Sequence, residues 1–240
     1  MKSNSGKAVI KKKKSKDGTV HDALLYTPFF IFFEGGILME IEVIHHSSIR
    51  LEAEKVIYFD HYDIKEELHD ADYIFITHDH YDHYDEEAIE KVKNNQTKII
   101  VPECLKEKKH DLVVEPDKEY QLDELFFKTI GAYNTKANYH PKEKKYLGYN
   151  LLLNNTYYYI MGDTNRTKET DQVKTDICFV PIGGTYTMDV EEAANYINDL
   201  NPKEVIPIHY GKIVGDESLG EEFKKKIKDN IKVTIYIGGK

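Results

Sequence analysis

The 240-residue sequence contains no tryptophan and only two cysteines, Cys104 and Cys178. Because no Cys-x-x-Cys pair occurs, the sequence argues against a cysteine-rich zinc site and against a disulfide framework. Isolated thiols of this kind are usually buried free side chains. The sparse use of cysteine therefore favours a protein of the reducing cytoplasm.

Long hydrophobic runs are also missing. The longest apolar stretch, residues 23–33, is shorter than the ~20 residues that a membrane-spanning helix needs, and it contains Pro28. A lysine-rich stretch at residues 11–16 precedes it, so a secretory signal is an alternative interpretation, although no small-residue cleavage site follows. We expect no association with a membrane.

Basic residues are scarce outside the N-terminal segment. Residues 1–38 hold seven lysines and three acidic residues, whereas the remainder holds 26 basic and 39 acidic residues. Such an acidic body argues against nucleic-acid binding, which requires basic surface. A small anionic substrate stays compatible with this charge, because a metal ion supplies local positive charge.

The composition changes abruptly at Met39. Glu34-Gly35-Gly36 can be encoded by a ribosome-binding sequence two codons before Met39, which is followed directly by a strand pattern. We therefore predict that residues 1–38 are a non-native or disordered extension, and that residues 39–240 are one folded domain. A genuine but poorly ordered extension is the alternative.

From residue 39 onward, short apolar strands are interrupted by turns and a few helices. Residues 39–44 alternate with period two, as expected for a half-buried strand. Further strands are predicted at 48–53, 55–60, 73–77, 98–101, 111–114, 125–130, 151–153, 157–160, 177–182, 204–208 and 232–237. Helices are predicted at 86–93, 190–200 and 218–229, the first two capped by Asp85 and Asp189. This pattern suits two packed sheets with helices outside.

The strongest chemical signal is the run His78-Asp79-His80-Tyr81-Asp82-His83, directly after the apolar strand 73–77. His78 and His80 share one side of the chain if the backbone stays extended. Imidazole and carboxylate groups together suit zinc, manganese or iron. Asp82 and His83 can serve a second metal. A polar surface loop that happens to contain histidines is the alternative.

This run resembles the His-x-His-x-Asp-His signature of the metallo-β-lactamase superfamily. Asp60, at a strand end, is similar to the family's Asp that braces the metal loop, and Met161-Gly162-Asp163-Thr164 to its bridging-Asp motif. Residues 206–211, which contain His209, resemble its last motif. Within the superfamily, His46-Ser47-Ser48 and residues 183–188 are most similar to the branch that includes ascorbate-6-phosphate lactonase.

The resemblance implies the fold and a set of ligands. The fold is an αββα four-layer sandwich, in which two mixed β-sheets are flanked by helices and the metals lie at one edge. One metal would bind His78, His80 and His140, the other would bind Asp82, His83 and His209, and Asp163 would bridge them. One or two divalent ions are expected, zinc first, with manganese or iron as alternatives.

The third family motif departs from the usual pattern, because no His follows the strand 125–130 directly. His140 is the candidate that reaches in from a loop, and Pro141 restricts its backbone. The alternatives are that Asn134 or water completes the site while His140 contacts substrate, or that His140 is a surface residue.

The other histidines and two further residues are assigned supporting roles. His46, Asp60 and Tyr186 are expected to contact substrate or to hold the ligands in place, and His45 to be structural. His61 has no supporting context and is expected to be solvated or locally hydrogen-bonded rather than functional.

The function implied is hydrolysis of an ester, lactone, amide or phosphodiester of a small molecule by a metal-activated water, with Asp82 as the catalytic residue. A non-catalytic metal-binding sensor or partner module is one alternative. A mononuclear-iron oxidoreductase-type relative is the other. No nucleic-acid partner is expected, and a homo-oligomer is compatible with the sequence.

Overall fold

Two mixed sheets of seven strands each form the framework of the molecule. The computed structural model describes residues 29–31, 39–136 and 138–237. The first sheet contains β1 (Phe29–Ile31), β2 (Met39–His45), β3 (Ser48–Glu52), β4 (Val56–Phe59), β5 (Ala71–Phe75), β6 (Lys93–Pro102) and β7 (Leu112–Val114). The second contains β8 (Glu119–Leu122), β9 (Leu125–Ala132), β10 (Tyr146–Leu153), β11 (Thr156–Ile160), β12 (Ile177–Pro181), β13 (Glu204–Ile208) and β14 (Lys232–Val233). The α-helices are α1 (Glu86–Val92), α2 (Val190–Leu200) and α3 (Leu219–Lys224).

Both sheets follow the same succession of strand pairings. In each, the strands lie in chain order, so that β1 to β4 and β8 to β11 pair antiparallel. The strands β4 to β7 and β11 to β14 pair parallel. The carboxyl ends of neighbouring parallel strands meet at one edge of a sheet, which is where ligand sites form in such folds.

The hydrophobic core lies in three layers. The largest cluster fills the space between the sheets, where Phe75 meets Phe127 edge to face at 5.0 Å between ring centroids. A second cluster packs α2 and α3 on the outer face of the second sheet, and a third packs α1 on the outer face of the first. The predicted αββα four-layer sandwich is confirmed.

Local sequence explains most of the elements. Alternate residues of β2 are buried, in agreement with its period-two pattern. Every residue of β12 is buried, as expected for a parallel strand covered on both faces. Asp85 accepts hydrogen bonds from the first turn of α1, and Asp189 accepts one from Glu192 N–H at 2.8 Å, so both predicted N-caps are observed.

Several predicted boundaries were wrong. β6 begins directly after α1, where a loop was expected, because the Asn94 amide and the Thr97 hydroxyl both donate to the Ala71 carbonyl and extend the strand pairing. The exposed strand β8 was not predicted, since its polar residues carry little strand signal. The predicted helix 218–229 is shorter, and the last strand contains two residues.

The N-terminal segment is described only in part. Phe29–Ile31 forms an antiparallel edge strand against β2. The remainder of the predicted extension, including the lysine-rich stretch, lies outside the described residues. Among the described residues, no helix is long and apolar enough to cross a membrane. Both cysteines are free, with Cys178 buried and Cys104 half-buried.

Candidate metal centre

Loops at strand ends of both sheets gather histidine and aspartate side chains at one edge of the sandwich. Their nitrogen and oxygen atoms form three overlapping groups, within each of which all atoms lie within 4.8 Å of one another. We call the first the open group and the second the buried group, and the third links them. The open group is His78, His80 and His140, the buried group is His46, Asp82, His83 and His209, and the linking group is His78, His83 and Asp163.

Asp60 holds the metal loop in place through a buried network. Its carboxylate accepts from the Thr77 N–H and hydroxyl, both at 2.8 Å, and from His83 Nδ1 at 2.8 Å. Because the Thr77 hydroxyl donates to Asp60, Nδ1 of His78 donates to that hydroxyl oxygen at 2.9 Å. His78 therefore keeps Nε2 free as a lone-pair donor directed into the cluster. Burial opposes a charge on His83, but the Asp163 and Asp60 carboxylates outweigh burial and raise the pKa of His83 well above its ordinary value, so a metal ion bound there would replace the proton on Nε2.

His140 reaches the cluster from the long loop between β9 and β10. Its Nδ1 donates to the Tyr186 carbonyl at 3.2 Å, and its Nε2 lies 3.2 Å from His80 Nδ1 and 3.3 Å from Asp163 Oδ2. Asn134 supports this loop, since its amide donates to the same Tyr186 carbonyl at 2.7 Å and its N–H donates to the His140 carbonyl. Burial lowers the pKa of His140, partly offset by the Asp163 charge.

Asp163 lies at the centre of the cluster. Gly162 precedes it with φ +65°, and a side chain there would approach the Leu147 carbonyl to 2.6 Å, so the turn that directs Asp163 inward requires glycine. Burial opposes its charge, but His209 and His83 outweigh burial and hold the pKa of Asp163 well below its ordinary value. The carboxylate is therefore ionised at neutral pH.

The buried group joins the two sheets. His209, directly after β13, donates its N–H to the His46 carbonyl at 2.9 Å, and their rings lie 4.0 Å apart. The His209 carbonyl also packs against Gly183, where a Cβ would lie 2.3 Å from the carbonyl oxygen, so this contact requires glycine. His46 and His209 both have left-handed backbone, with φ of 51° and 58°. Strained backbone of this kind is frequent at functional sites.

Asp82 contacts the histidines of the buried group. Its Oδ2 lies 3.3 Å from His46 Nε2, 3.7 Å from His83 Nε2 and 3.8 Å from His209 Nε2. Burial alone would raise the pKa of Asp82, but the His46 contact and the His83 charge hold it at about 2. Burial lowers the pKa of His46 to about 4.

The cluster fits a divalent metal. Buried nitrogen and oxygen atoms normally have hydrogen-bond partners. In the part of the chain that the structure describes, His46, His78, His83 and His209 each leave Nε2 without a hydrogen-bond partner, and Asp163 leaves Oδ1 without one. A convergent set of imidazole nitrogens and carboxylate oxygens is the donor set that zinc and related ions prefer.

The structure brings together all seven residues that the sequence singled out as metal ligands. It also places His46 in the buried group and Asp60 behind the loop, whereas Tyr186 contributes its carbonyl. His45 lies outside the groups, and its Nε2 contacts the Tyr62 carbonyl at 2.7 Å.

Several supporting residues carried no sequence signal. Thr77 bridges Asp60 and His78, and the Tyr146 hydroxyl donates to Asp79 in the metal loop at 2.8 Å. The expectation that His61 is solvated or locally hydrogen-bonded was wrong. It is fully buried against the Tyr58 ring, and neither ring nitrogen has a partner among the described residues.

A histidine- and aspartate-lined centre at the edge of an αββα sandwich defines a protein of the metallo-β-lactamase type. A family model described as "Beta-lactamase superfamily domain" matches residues 40–209, and the chain belongs to this superfamily.

Several relatives of this chain are described as metal-dependent hydrolases. A UPF0173 metal-dependent hydrolase of Nanoarchaeum equitans is 29% identical over 80% of this chain and 93% of its own length. One from Staphylococcus carnosus is 30% identical over 69% and 79%. The crystal structure of a protein from Parabacteroides distasonis, described as a metal-dependent hydrolase, superposes with TM-score 0.77 and 30% identity over 88% of this chain and 98% of that one.

Proposed function

We propose that this chain is a metal-dependent hydrolase that cleaves an ester, lactone, amide or phosphodiester of a small molecule. The observation that carries the proposal is the position of Asp163. Its carboxylate lies 3.0 Å from His209 Nε2, 3.3 Å from His140 Nε2, 3.4 Å from His83 Nε2 and 3.9 Å from His78 Nε2. A carboxylate shared by histidines of both groups suits one or two adjacent divalent ions, zinc first, with manganese or iron as alternatives.

The open and buried groups would each hold one ion, with Asp163 between them. A bound divalent ion supplies Lewis acidity and lowers the pKa of its water toward ~7. The chain's own contribution is to present imidazole nitrogens in their neutral form, for which the depressed pKa values of His46, His78 and His140 are suited. Nδ1 of His78 and of His140 is already used in hydrogen bonds, which leaves Nε2 for the ion.

Asp82 is the residue to which we assign proton handling. Its low pKa keeps it ionised, and its Oδ2 faces three histidines of the same group. An ionised carboxylate in this position can orient the attacking water and accept its proton. Loss of such acid/base assistance typically costs ~100-fold or more in turnover.

The test is a turnover screen of lactones, phosphodiesters and thioesters with zinc, manganese and iron as the added metal, together with metal analysis of natively purified protein. We expect metal-dependent turnover of at least one class. Asp82→Asn should lower it by ~100-fold or more without loss of folding. Asp199→Asn, which removes a surface charge next to Arg166, serves as the matched control. Normal turnover in the Asp82 variant would remove Asp82 from the reaction.

A further inference from the structure

Four tyrosines are attached to the loops that carry the metal-site residues. Tyr81 lies between His80 and Asp82, and Tyr139 directly precedes His140. The carbonyl of Tyr186 accepts the hydrogen bond from His140. Tyr62 contacts Tyr81. We call these residues, Tyr62, Tyr81, Tyr139 and Tyr186, the tyrosine rim.

The rim consists of two edge-to-face pairs with accessible rings. Tyr62 and Tyr81 lie 5.8 Å apart with an 80° angle between ring planes, and Tyr139 and Tyr186 lie 4.7 Å apart at 87°. Tyr81 is 64% exposed, Tyr139 49% and Tyr186 37%. The loops that carry the two pairs meet at the open group, where Nε2 of His140, the neighbour of Tyr139, lies 3.2 Å from Nδ1 of His80, the neighbour of Tyr81.

The charged side chains around the cluster limit the class of substrate that the rim could help to bind. Among the described residues, the ion pairs of Asp82 and Asp163 involve histidines alone, and Asp60 pairs with His83. No lysine or arginine in the described ranges hydrogen-bonds to a residue of either group. A phosphate or carboxylate substituent remote from the reacting bond would therefore find no cationic side chain already in contact with the cluster.

Exposed aromatic side chains grouped at a polar centre indicate a ligand-binding site. Ligand sites are commonly lined by aromatic groups around a few polar atoms. A contiguous patch of exposed apolar surface on a protein often marks a binding site. An edge-to-face pair leaves part of each ring free to contact a third ring, which tyrosine does at little cost in conformational freedom.

We propose that the tyrosine rim is a subsite for an aromatic ring of an uncharged ester or lactone, placed beside the bond that is hydrolysed. This inference rests on the proposed function, because it assigns the substrate class of the same site. The ring stacks against Tyr81 and Tyr139 while the reacting carbonyl faces the metal centre. Each ring contact should contribute roughly tenfold in affinity.

The test compares two product-like acids, phenylacetate and acetate, which differ by the ring alone. Their binding to the zinc-loaded protein is measured by calorimetry, so that no turnover is needed. We expect phenylacetate to bind roughly tenfold or more tightly than acetate. Tyr81→Ala and Tyr139→Ala should each lower the ratio, and the double variant should bring it close to one with unchanged metal content, whereas Tyr139→Phe should retain it.

Tyr157→Ala is the matched control, because Tyr157 is also 37% exposed but lies on β11. Its ratio should equal that of the parent protein. Equal binding of the two acids, binding of neither acid, or a ratio that survives both alanine variants would overturn the subsite. A protein that hydrolyses nothing but keeps the ring preference would instead contradict the proposed function and leave the subsite standing.

Discussion

The open group and the buried group of the metal centre differ in their access to solvent. His80 of the open group is exposed, although its partners His78 and His140 are buried. All four members of the buried group are shielded. Supporting hydrogen bonds reach both groups, since Asp60 binds His83 in the buried group and the Tyr186 carbonyl accepts from His140 in the open group, so the groups differ in shielding.

This difference in solvent access favours a different role for each group. A shielded set of ligands is confined by packed neighbours and loses little conformational freedom when an ion binds, so it should hold its ion tightly. An accessible set can exchange its ion and can admit substrate. The tyrosine rim lies next to the open group, through His80 and His140, in agreement with this division.

The largest effect is expected where the two groups meet. Asp163→Asn removes the charge that contacts histidines of both groups, so metal should be lost from both. Loss of residues that merely orient ligands costs ~10–100-fold in metal affinity, and loss of a shared ligand should exceed ~100-fold. Metal analysis after dialysis measures this, with Asp171→Asn as surface control. Loss of metal from one group alone would show that Asp163 is not shared.

The open group is tested through His140. His140→Ala should weaken metal binding by more than ~10–100-fold at one site while the buried group keeps its ion. His110→Ala, which alters a half-buried histidine outside the groups, is the control. If the variant retains metal as the parent does and loses substrate affinity alone, then His140 contacts substrate and Asn134 or water completes the group.

The buried group is tested through His46 and its neighbour His45. His46→Ala should lower the affinity of the second ion by ~10–100-fold, because its Nε2 lies among the donor atoms of Asp82, His83 and His209. His45→Ala changes the adjacent histidine, which hydrogen-bonds to Tyr62 outside the groups. An unchanged metal titration with a raised KM would assign His46 to substrate.

The smallest expected effect is on the pH dependence of the free energy of unfolding, through the buried His61. Burial lowers the pKa of His61 to about 3, so the folded protein keeps it neutral, whereas the unfolded chain protonates it below ~6.5. The unfolded chain therefore gains stability from protonation of His61 that the folded protein does not, so the free energy of unfolding is full above pH ~6.5 and decreases as the pH falls toward 3. The loss at pH 5.5 should be about 1.4 kcal/mol.

His61→Phe should remove this part of the pH dependence between pH 7.5 and 5.5, as measured by denaturant unfolding. His61→Asn provides a second variant should the larger ring not fit against Tyr58. His69→Asn changes an exposed histidine and should leave the slope unchanged. Parallel slopes for His61→Phe and the parent protein would show that His61 does not titrate as its burial implies.

The metal-loop residues could be singled out from the sequence because they are local. His78 to His83 follow an apolar strand within six positions, and Asp163 and His209 follow strands that the pattern also showed. Parallel strands then bring these ends to one edge. The two-sheet architecture followed in the same way from short strands interrupted by a few helices.

What the sequence did not show depends on contacts between distant segments. In the sequence, Thr77 is indistinguishable from other strand residues, because its role depends on the hydrogen bond to Asp60. Tyr146 is likewise indistinguishable from other core aromatic residues, because its role depends on the hydrogen bond from its hydroxyl to Asp79. Backbone shape was equally hidden. His46, Asp60, His140 and His209 all adopt positive φ, which non-glycine residues rarely do without support from the surrounding fold.

The hydrogen bond from His209 to the His46 carbonyl has a consequence for how the chain can be divided. Each sheet is built from one continuous half of the described chain, and residues 115–118 alone connect β7 to β8. The cluster, however, takes residues from both halves. Two fragments separated between β7 and β8 would each lack a complete set of ligands. Recovery of metal binding upon mixing them would therefore report that the fragments had reassociated.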